Sequence, residues 1–335
     1  MRNKIFYFLL FFMVFSTLVF SDFSYQPINQ NIFAKVNNET LSEELLVSRS
    51  QIVYLLSDMS TNYQDFYTVL TNTATGIELI QTYLNDQAMK IINQVLFVQF
   101  VEQKGIDLER ESLRNEIENQ FSNVFKDAGI PDENIEEYLL LLGYTSKSNF
   151  IDDFFYQVLY NDSIMALYEF IFQQQTVSEE EILTEYNNNK PVYKSRPSAD
   201  IKIVVFNTEE EASYTYTRII EGYYTFEEVF ELSDNNVTTN ISLEDELNNL
   251  VNTVKNNPPG YITEPILYNT EDNTFALLKI EKKYPERQLS FEEARNQIIF
   301  NLKDKKTQEY FDKVLPEEFE IFRKNSVVII NSELF

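Results

Sequence analysis

Apolar positions along this chain follow two regimes. Up to about residue 190 they recur every three to four residues, the period of a helix, whereas from about 197 to 283 short alternating runs separate shorter helices. Ile32 to Val36 reads as a short strand, Asn37-Asn38 as a turn, and Thr40-Leu41-Ser42-Glu43 as a capping box opening a helix to about Asp58. Two more helices are predicted, at about Gln64 to Leu70 and from Ile77 to Lys104. In the longer one Ile77, Ile80, Leu84, Ile91, Val95 and Val98 keep helical spacing, while Asn93, Gln94 and Gln99 interrupt it too soon for a membrane span. Gly105 supplies the stop. Residues 107–127, 132–142 and 147–173 predict further amphipathic helices, so the first half is an α-helical domain.

Beyond it the period shortens. Ser178-Glu179-Glu180-Glu181 opens a capped helix ending near Lys190-Pro191, and Asp200 to Phe206 is strand-like. Thr208 caps a helix to about Glu221, Phe226 to Leu232 is another, and Ser242-Leu243-Glu244-Asp245 precedes one whose Leu247, Leu250 and Val254 share a face. Pro258-Pro259-Gly260 ends that helix; Tyr261 to Leu267 and Thr274 to Lys282 then pair as strands across the polar turn Asn269 to Asn273. This order predicts a small α+β domain at 197–283. Ser290-Phe291-Glu292-Glu293 caps a helix to about Val314, and Val327 to Ile330 makes a last strand.

The N-terminus changes where this fold is expected to work. Arg2 and Lys4 precede an apolar run from Ile5 to Phe15, and Val19 and Ser21 form a cleavage end before Asp22, so residues 1–21 read as an export signal. Retained, residues 5–20 would form a membrane tether. No cysteine follows the run, which excludes a lipoprotein anchor.

Composition removes most chemistry. The 335 residues contain no histidine and no cysteine, so catalytic triads, thiol redox centres and nearly all zinc sites are excluded. With 53 acidic against 27 basic residues and a formal charge of −26, neither nucleic acid nor anionic lipid is an expected partner. Six glycines, and neither a P-loop nor GxGxxG, argue against a nucleotide. No cofactor and no metal are expected. Glu179 to Glu181 and Glu209 to Glu211 sit in first helical turns, where they complement the helix dipole; Glu271, Asp272 and Asn273 lack the spacing and glycine of a calcium loop. Asn38, Asn161, Asn236 and Asn240 lie in N-x-S/T triplets, which matter only where a source glycosylates them.

The local wording resembles the extracytoplasmic foldases of the SurA and PrsA type, which carry a parvulin-like (PpiC-type) peptidyl-prolyl isomerase domain. Val36-Asn37-Asn38-Glu39 followed by Leu41-Ser42-Glu43-Glu44-Leu45, and Lys104-Gly105-Ile106, are similar to the opening and the long-helix end of that family's helical part. Val177-Ser178-Glu179-Glu180-Glu181-Ile182, with Tyr186 and Tyr193, resembles its lead-in to the isomerase domain. Thr208-Glu209-Glu210-Glu211-Ala212, Phe226-Glu227-Glu228-Val229 and Pro259-Gly260-Tyr261-Ile262-Thr263-Glu264-Pro265 match the family's TEEEA, FEE and PGEISEP stretches. The resemblance implies an α+β architecture: a SurA-N-like chaperone domain at 22–190, a parvulin-like domain at 197–283, and a helix and strand at 288–335 packing back on the helical domain.

Departures from the family pattern bear on function. The family's first active-site histidine falls here on Lys202 or Ile203, and its second on Ala276. Its Gly-Gly-Asp-Leu-Gly-Trp-Phe loop falls between Ser233 and Leu247, where Asp234 to Asn240 hold neither glycine nor tryptophan. The apolar pocket wall corresponds to Leu247, Leu250 and Phe275, which ordinary core packing also explains. Lys202 as a replacement catalyst is less simple than a solvent-facing strand residue. Phe150, Phe154, Phe155, Tyr160, Tyr168, Phe170 and Phe172 exceed what one buried stripe needs, and core packing competes there with a client-binding groove in which aromatic faces bind varied apolar segments. The expectation is an exported, ATP-independent holdase or foldase for unfolded or partly folded exported proteins. A divergent prolyl isomerase of low activity and a structural or adhesive surface protein are the alternatives.

Overall fold

A computed structural model of the chain describes residues 23–28, 31–244, 249–269 and 272–335; the expected export signal lies outside the described residues. The chain divides into two compact units, one made of residues up to Gln175 with Asp304–Phe335, the other of Thr176–Lys303. The first opens with strands β1 (Ser24–Gln26), β2 (Ile32–Val36) and β3 (Glu39–Ser42). Helices α1 (Glu43–Ser50), α2 (Ile52–Asn62), α3 (Gln64–Asn72), α4 (Ala74–Gln103), α5 (Arg110–Asp127), α6 (Ile135–Leu141) and α7 (Lys147–Gln174) follow. The second holds α8 (Glu179–Asn189), β4 (Lys194–Ser195), β5 (Ser198–Phe206), α9 (Glu209–Ile220), α10 (Phe226–Leu232), β6 (Asn236–Ser242), α11 (Asn249–Asn256), β7 (Ile266–Asn269), β8 (Thr274–Tyr284) and β9 (Arg287–Gln288). Helix α12 (Phe291–Glu309) crosses back to the first unit, where α13 (Leu315–Asn325) and β10 (Val328–Asn331) end the chain. A mainly helical region with a small α+β unit is the fold class the sequence predicts. Among the described residues no helix is long and apolar enough to cross a membrane.

The first unit is closed by its two ends. Its sheet has the order β1-β10-β2-β3, with β10 parallel to β1 and antiparallel to β2. Buried Asn331 fixes this register, because its side chain accepts from the Ile28 N–H (3.2 Å) and donates to the Ile32 carbonyl (3.1 Å). Helix α4 is largely exposed in its first half and buried along one side from Ala88 to Val101. There Phe97 and Phe100 meet Phe319 of α13 edge to face, at 5.5 and 5.7 Å between centroids, an arrangement that the ring quadrupoles favour.

One buried polar node ties α1, α4 and α7 together. The Asp153 carboxylate, almost wholly buried, accepts from the Arg49 guanidinium, from the Tyr144 hydroxyl (2.9 Å) and from Gln157 (3.0 Å). Arg49 also donates to Gln94 (3.0 Å) and to the Asp153 carbonyl (3.0 Å). Such a pair loses most of its hydration, and these further hydrogen bonds offset the cost.

Several boundaries differ from the sequence reading. Ser42 rather than Thr40 is the cap, accepting from the Leu45 N–H, because Glu39–Ser42 is drawn into strand β3. The helix expected to run to Asp58 breaks at Gln51, which adopts φ 53°. Gly76 permits a contact the sequence did not signal: a Cβ there would lie 2.3 Å from the Leu70 carbonyl oxygen, so α3 and α4 can fold tightly only over a glycine. The helix expected to end at Val314 passes through a π turn at Tyr310–Val314 into α13. Pro316 supplies the reason, since it offers no N–H to Asp312 and its ring crowds that carbonyl.

In the second unit the sheet order is β6-β5-β8-β7, antiparallel throughout. Strands β5 and β8 are central, and from Ile201 to Phe206 and Phe275 to Ile280 their side chains alternate between the two faces, beyond a register shift between Asp200 and Ile201. Ala199, Ile201, Ile203, Ala276, Leu278 and Ile280 pack with Val251 and Val254 of α11 on one face. Val204 and Leu277 pack with Ile219 and Phe226 on the other. Helix α8 also belongs here, its Ile182 and Tyr186 packing with Tyr193, Ala294 and Ile298, so the boundary expected at 190 falls inside this unit. Asp234 to Asn240, read as loop, runs into strand β6, because Val237, Thr239 and Ile241 pair with β5 over seven residues.

The Asp153 node makes a direct prediction. Asp153→Ala should destabilise the first unit by about 3–5 kcal/mol, the cost of stranding a buried guanidinium, whereas an Arg49→Met/Asp153→Leu double variant should recover most of it. Denaturant unfolding of both variants checks this.

Candidate functional site

The family's histidine positions fall on the two central strands. The strict alternation of β5 places Ile203 and Lys202 on opposite faces, and only Ile203 shares a face with Ala276. Both are buried, Ile203 to 3% exposure and Ala276 to 0%. Their neighbours are apolar, and Leu250 of α11 packs against the same cluster. The nearby buried Thr263 hydroxyl is occupied, accepting from the Leu278 N–H at 3.0 Å. Among the described residues the side chains gathered on that face are apolar apart from Thr263 and the partly buried Tyr261.

Of the expected pocket wall, Leu250 lies on this face. Phe275 is half-buried and, by alternation with Ala276, points to the opposite one, so the structure does not bring these two together. Leu247 lies outside the described residues.

Lys202 is not the solvent-facing residue expected. Its ammonium binds the Glu227 carboxylate on α10 and stands 5.2 Å from the centre of the Phe230 ring, at 25% side-chain exposure. Lys279, opposite Lys202 across β5 and β8, donates to the other Glu227 oxygen at 2.5 Å and to Glu281 at 2.9 Å. So paired, Lys202 and Lys279 act as a latch that ties α10 to the sheet. The hydrogen bonds from Lys202 and then Lys279 outweigh desolvation and hold the Glu227 carboxyl below the usual glutamate range. For Lys279, burial favours the neutral amine, but the bonds to Glu227 and Glu281 prevail and raise its pKa. The other acidic runs cap helices: Ser178 and Glu181 form a reciprocal capping box, and Thr208 accepts from the Glu211 N–H.

The aromatic-rich α7 is mostly core. Of its seven singled-out rings only Phe154 is exposed; Phe155 is buried and the other five are partly covered. Phe150 packs on Phe121 and Phe125 at 5.6 and 5.7 Å, and Tyr160 on Phe97 at 5.7 Å. Open apolar surface lies elsewhere. Helix α2 has no buried residue, α3 has only Leu70, and Val53, Tyr54, Phe66, Val69, Ile77 and Leu79 each leave 46–57% of their area exposed. The sequence signal was present in the apolar run at 52–56, which a helical period makes look like a core stripe.

Comparison with known proteins agrees with this geometry in part. Residues 177–296 match the family described as PPIC-type PPIASE domain. The chain is 25% identical over 299 residues, 85% of its length and 82% of theirs, to foldase protein PrsA of Clostridium perfringens strain 13. Among solved structures, foldase protein PrsA of Streptococcus pneumoniae has a TM-score of 0.33 at 13% identity, covering 78% of this chain and 89% of that one. A SurA-like chaperone of Campylobacter jejuni has a TM-score of 0.30 at 19% identity, covering 63% and 92%. By sequence the chain is similar to PrsA foldases over most of its length, and residues 177–296 carry the PPIC-type match.

The latch gives a pH signature. Because the folded protein holds the Glu227 carboxyl below the usual glutamate range, its contribution is complete above the unfolded value and is lost as the pH falls through the folded one. Glu227→Gln should cost about 1 kcal/mol at pH 7, allowing for the solvent screening of a 40%-exposed carboxylate. Thermal unfolding of parent and variant should converge as the pH is lowered from the ordinary glutamate range through the depressed folded value.

Proposed function

We propose that this chain is an extracytoplasmic, ATP-independent foldase that holds unfolded or partly folded exported proteins by transient apolar contact, and that its PPIC-type domain no longer performs polar catalysis. The observation that carries the reading is the open apolar surface on three consecutive helices, α2, α3 and the start of α4, of the helical unit. Contiguous exposed apolar side chains are costly in a soluble protein unless they meet a partner. A formal charge of −26 supports it, keeping copies apart while that surface is free.

The proposed silence of the isomerase site rests on Ile203 and Ala276, both buried and neither able to donate or accept a proton. Prolyl isomerisation has a barrier of about 18–20 kcal/mol, lowered by binding the twisted imide more tightly than the planar one. With an apolar cluster filling the position, that preferential binding has no open polar site to work in. The sequence reading of residues 1–21 as an export signal, and the similarity to PrsA foldases, support work outside the cytoplasm.

Light scattering of a chemically unfolded client, with no nucleotide present, tests the holdase. The chain should suppress aggregation, and a Tyr54→Ser/Phe66→Ser/Val69→Ser variant should need about tenfold more protein for the same effect, at roughly 0.5–1 kcal/mol per lost apolar contact. In a proline-limited refolding assay the rate should stay within about twofold of the uncatalysed one. Clear acceleration would favour the divergent isomerase instead.

A further inference from the structure

Strand β6 is an open edge with none of the usual protections. It forms one side of the second unit's sheet, and among the described residues nothing pairs with its outer side. Its sequence, Asn236-Val237-Thr238-Thr239-Asn240-Ile241-Ser242, has no lysine, proline or charge, and its seven-residue ladder with β5 has no register shift. Natural proteins normally blunt such edges with charges, prolines, bulges or brevity. The opposite edge does so: β7 is four residues long, follows Pro265 and carries a register shift between Leu267 and Asn269. In the other unit, edge strands β1 and β3 have three and four residues.

The ladder also fixes which backbone groups face outward. The Val205 N–H donates to the Asn235 carbonyl and the Leu243 N–H to the Pro197 carbonyl, both at 2.9 Å. With Ile203 opposite Val237 and Ile201 opposite Thr239, the odd-numbered residues turn their N–H and C=O toward β5. Thr238 and Asn240 then present theirs to solvent, spaced to receive another strand.

We propose that this edge captures one extended polypeptide segment, which adds beside β6 as a fifth strand. It deepens the chaperone reading by naming the form in which a client is held, and it rests on that reading for the client's identity. The occupant is an uncharged or basic segment rather than a second copy. Copies carrying a charge of −26 repel one another, whereas exposed Glu231 and Asp234 just ahead of the strand attract basic flanks. Pairing through the backbone makes recognition tolerant of sequence, with the alternate side chains of the segment secondary.

The probe is a labelled peptide, Lys-Thr-Val-Thr-Val-Thr-Val-Thr-Lys, with a control N-methylated at alternate amides, titrated into the full chain by anisotropy. Hydrogen exchange on the parent should slow at Thr238 and Asn240 when the unmodified peptide is added. Thr238→Pro deletes an outward N–H without touching the β5 ladder and should weaken binding about tenfold, while Thr238→Val should leave it intact. Equal binding of the N-methylated peptide, protection at other strands, or unchanged affinity in a folded Thr238→Pro variant would overturn the proposal. So would a concentration-dependent dimer already protecting those amides without peptide. Aggregation suppression without peptide capture at β6 counts against the edge alone, and capture without suppression counts against the chaperone reading alone.

Discussion

Strand β10 lies between β1 and β2, and the rest of the helical unit depends on that insertion. The sheet joins Ser24 to Ile329 and Lys35 to Ile329 from opposite sides, so the first described residues and nearly the last complete one layer. Asn331 locks the arrangement with bonds to residues some three hundred positions away. The consequence is a discontinuous unit with Thr176–Lys303 inserted into it. The inserted unit closes on contiguous chain, whereas the helical one waits for its C-terminus. Loop-closure entropy grows only logarithmically with length, so this insertion costs little equilibrium stability and mainly sets the order of folding.

Within the helical unit, one helix changes role along its length. Helix α4 leaves Ile77 and Leu79 open to solvent, then buries Ile91, Ile92, Val95 and Leu96 a few turns later. The buried half is pinned by the aromatic contacts to α13 and by the Arg49–Asp153 node, a demanding polar arrangement that specifies one packing. The open half is tied more lightly, through the Tyr83 hydroxyl donating to the Ser50 carbonyl at 2.6 Å. A rigid core carrying an uncommitted apolar extension is what transient side-chain binding requires, since binding energy then need not be spent on ordering the chaperone itself.

The sequence revealed the elements better than their contacts. Helix starts at Ser178, Thr208 and Ser146 follow from short side chains that accept a backbone N–H, a local rule that needs no tertiary partner. What it could not reveal depended on neighbours. Strand β3 forms because β2 lies beside it, and β6 because β5 offers a seven-residue ladder. The expected site fared likewise: alternation along β5 and β8 decides between Lys202 and Ile203 and separates Leu250 from Phe275, and neither is visible until the register is known. Glu227, which turns Lys202 into a latch, is a long-range partner that no local motif announces.

The two faces of the second unit's sheet are both spent, and this bears on how such a domain can meet a polypeptide. One face buries Ile203, Ala276 and Leu278 under α11. The other is covered by α9 and α10, with its polar end tied up by Lys202, Lys279 and Glu227. Side-chain recognition on either face would require breaking packed contacts or ion pairs, which costs more than a transient complex returns. Backbone groups at the β6 edge carry no such debt, because among the described residues no strand pairs with them. If the edge captures chain as proposed, it selects for extended backbone, the conformation a folded protein rarely offers and an unfolded one readily does.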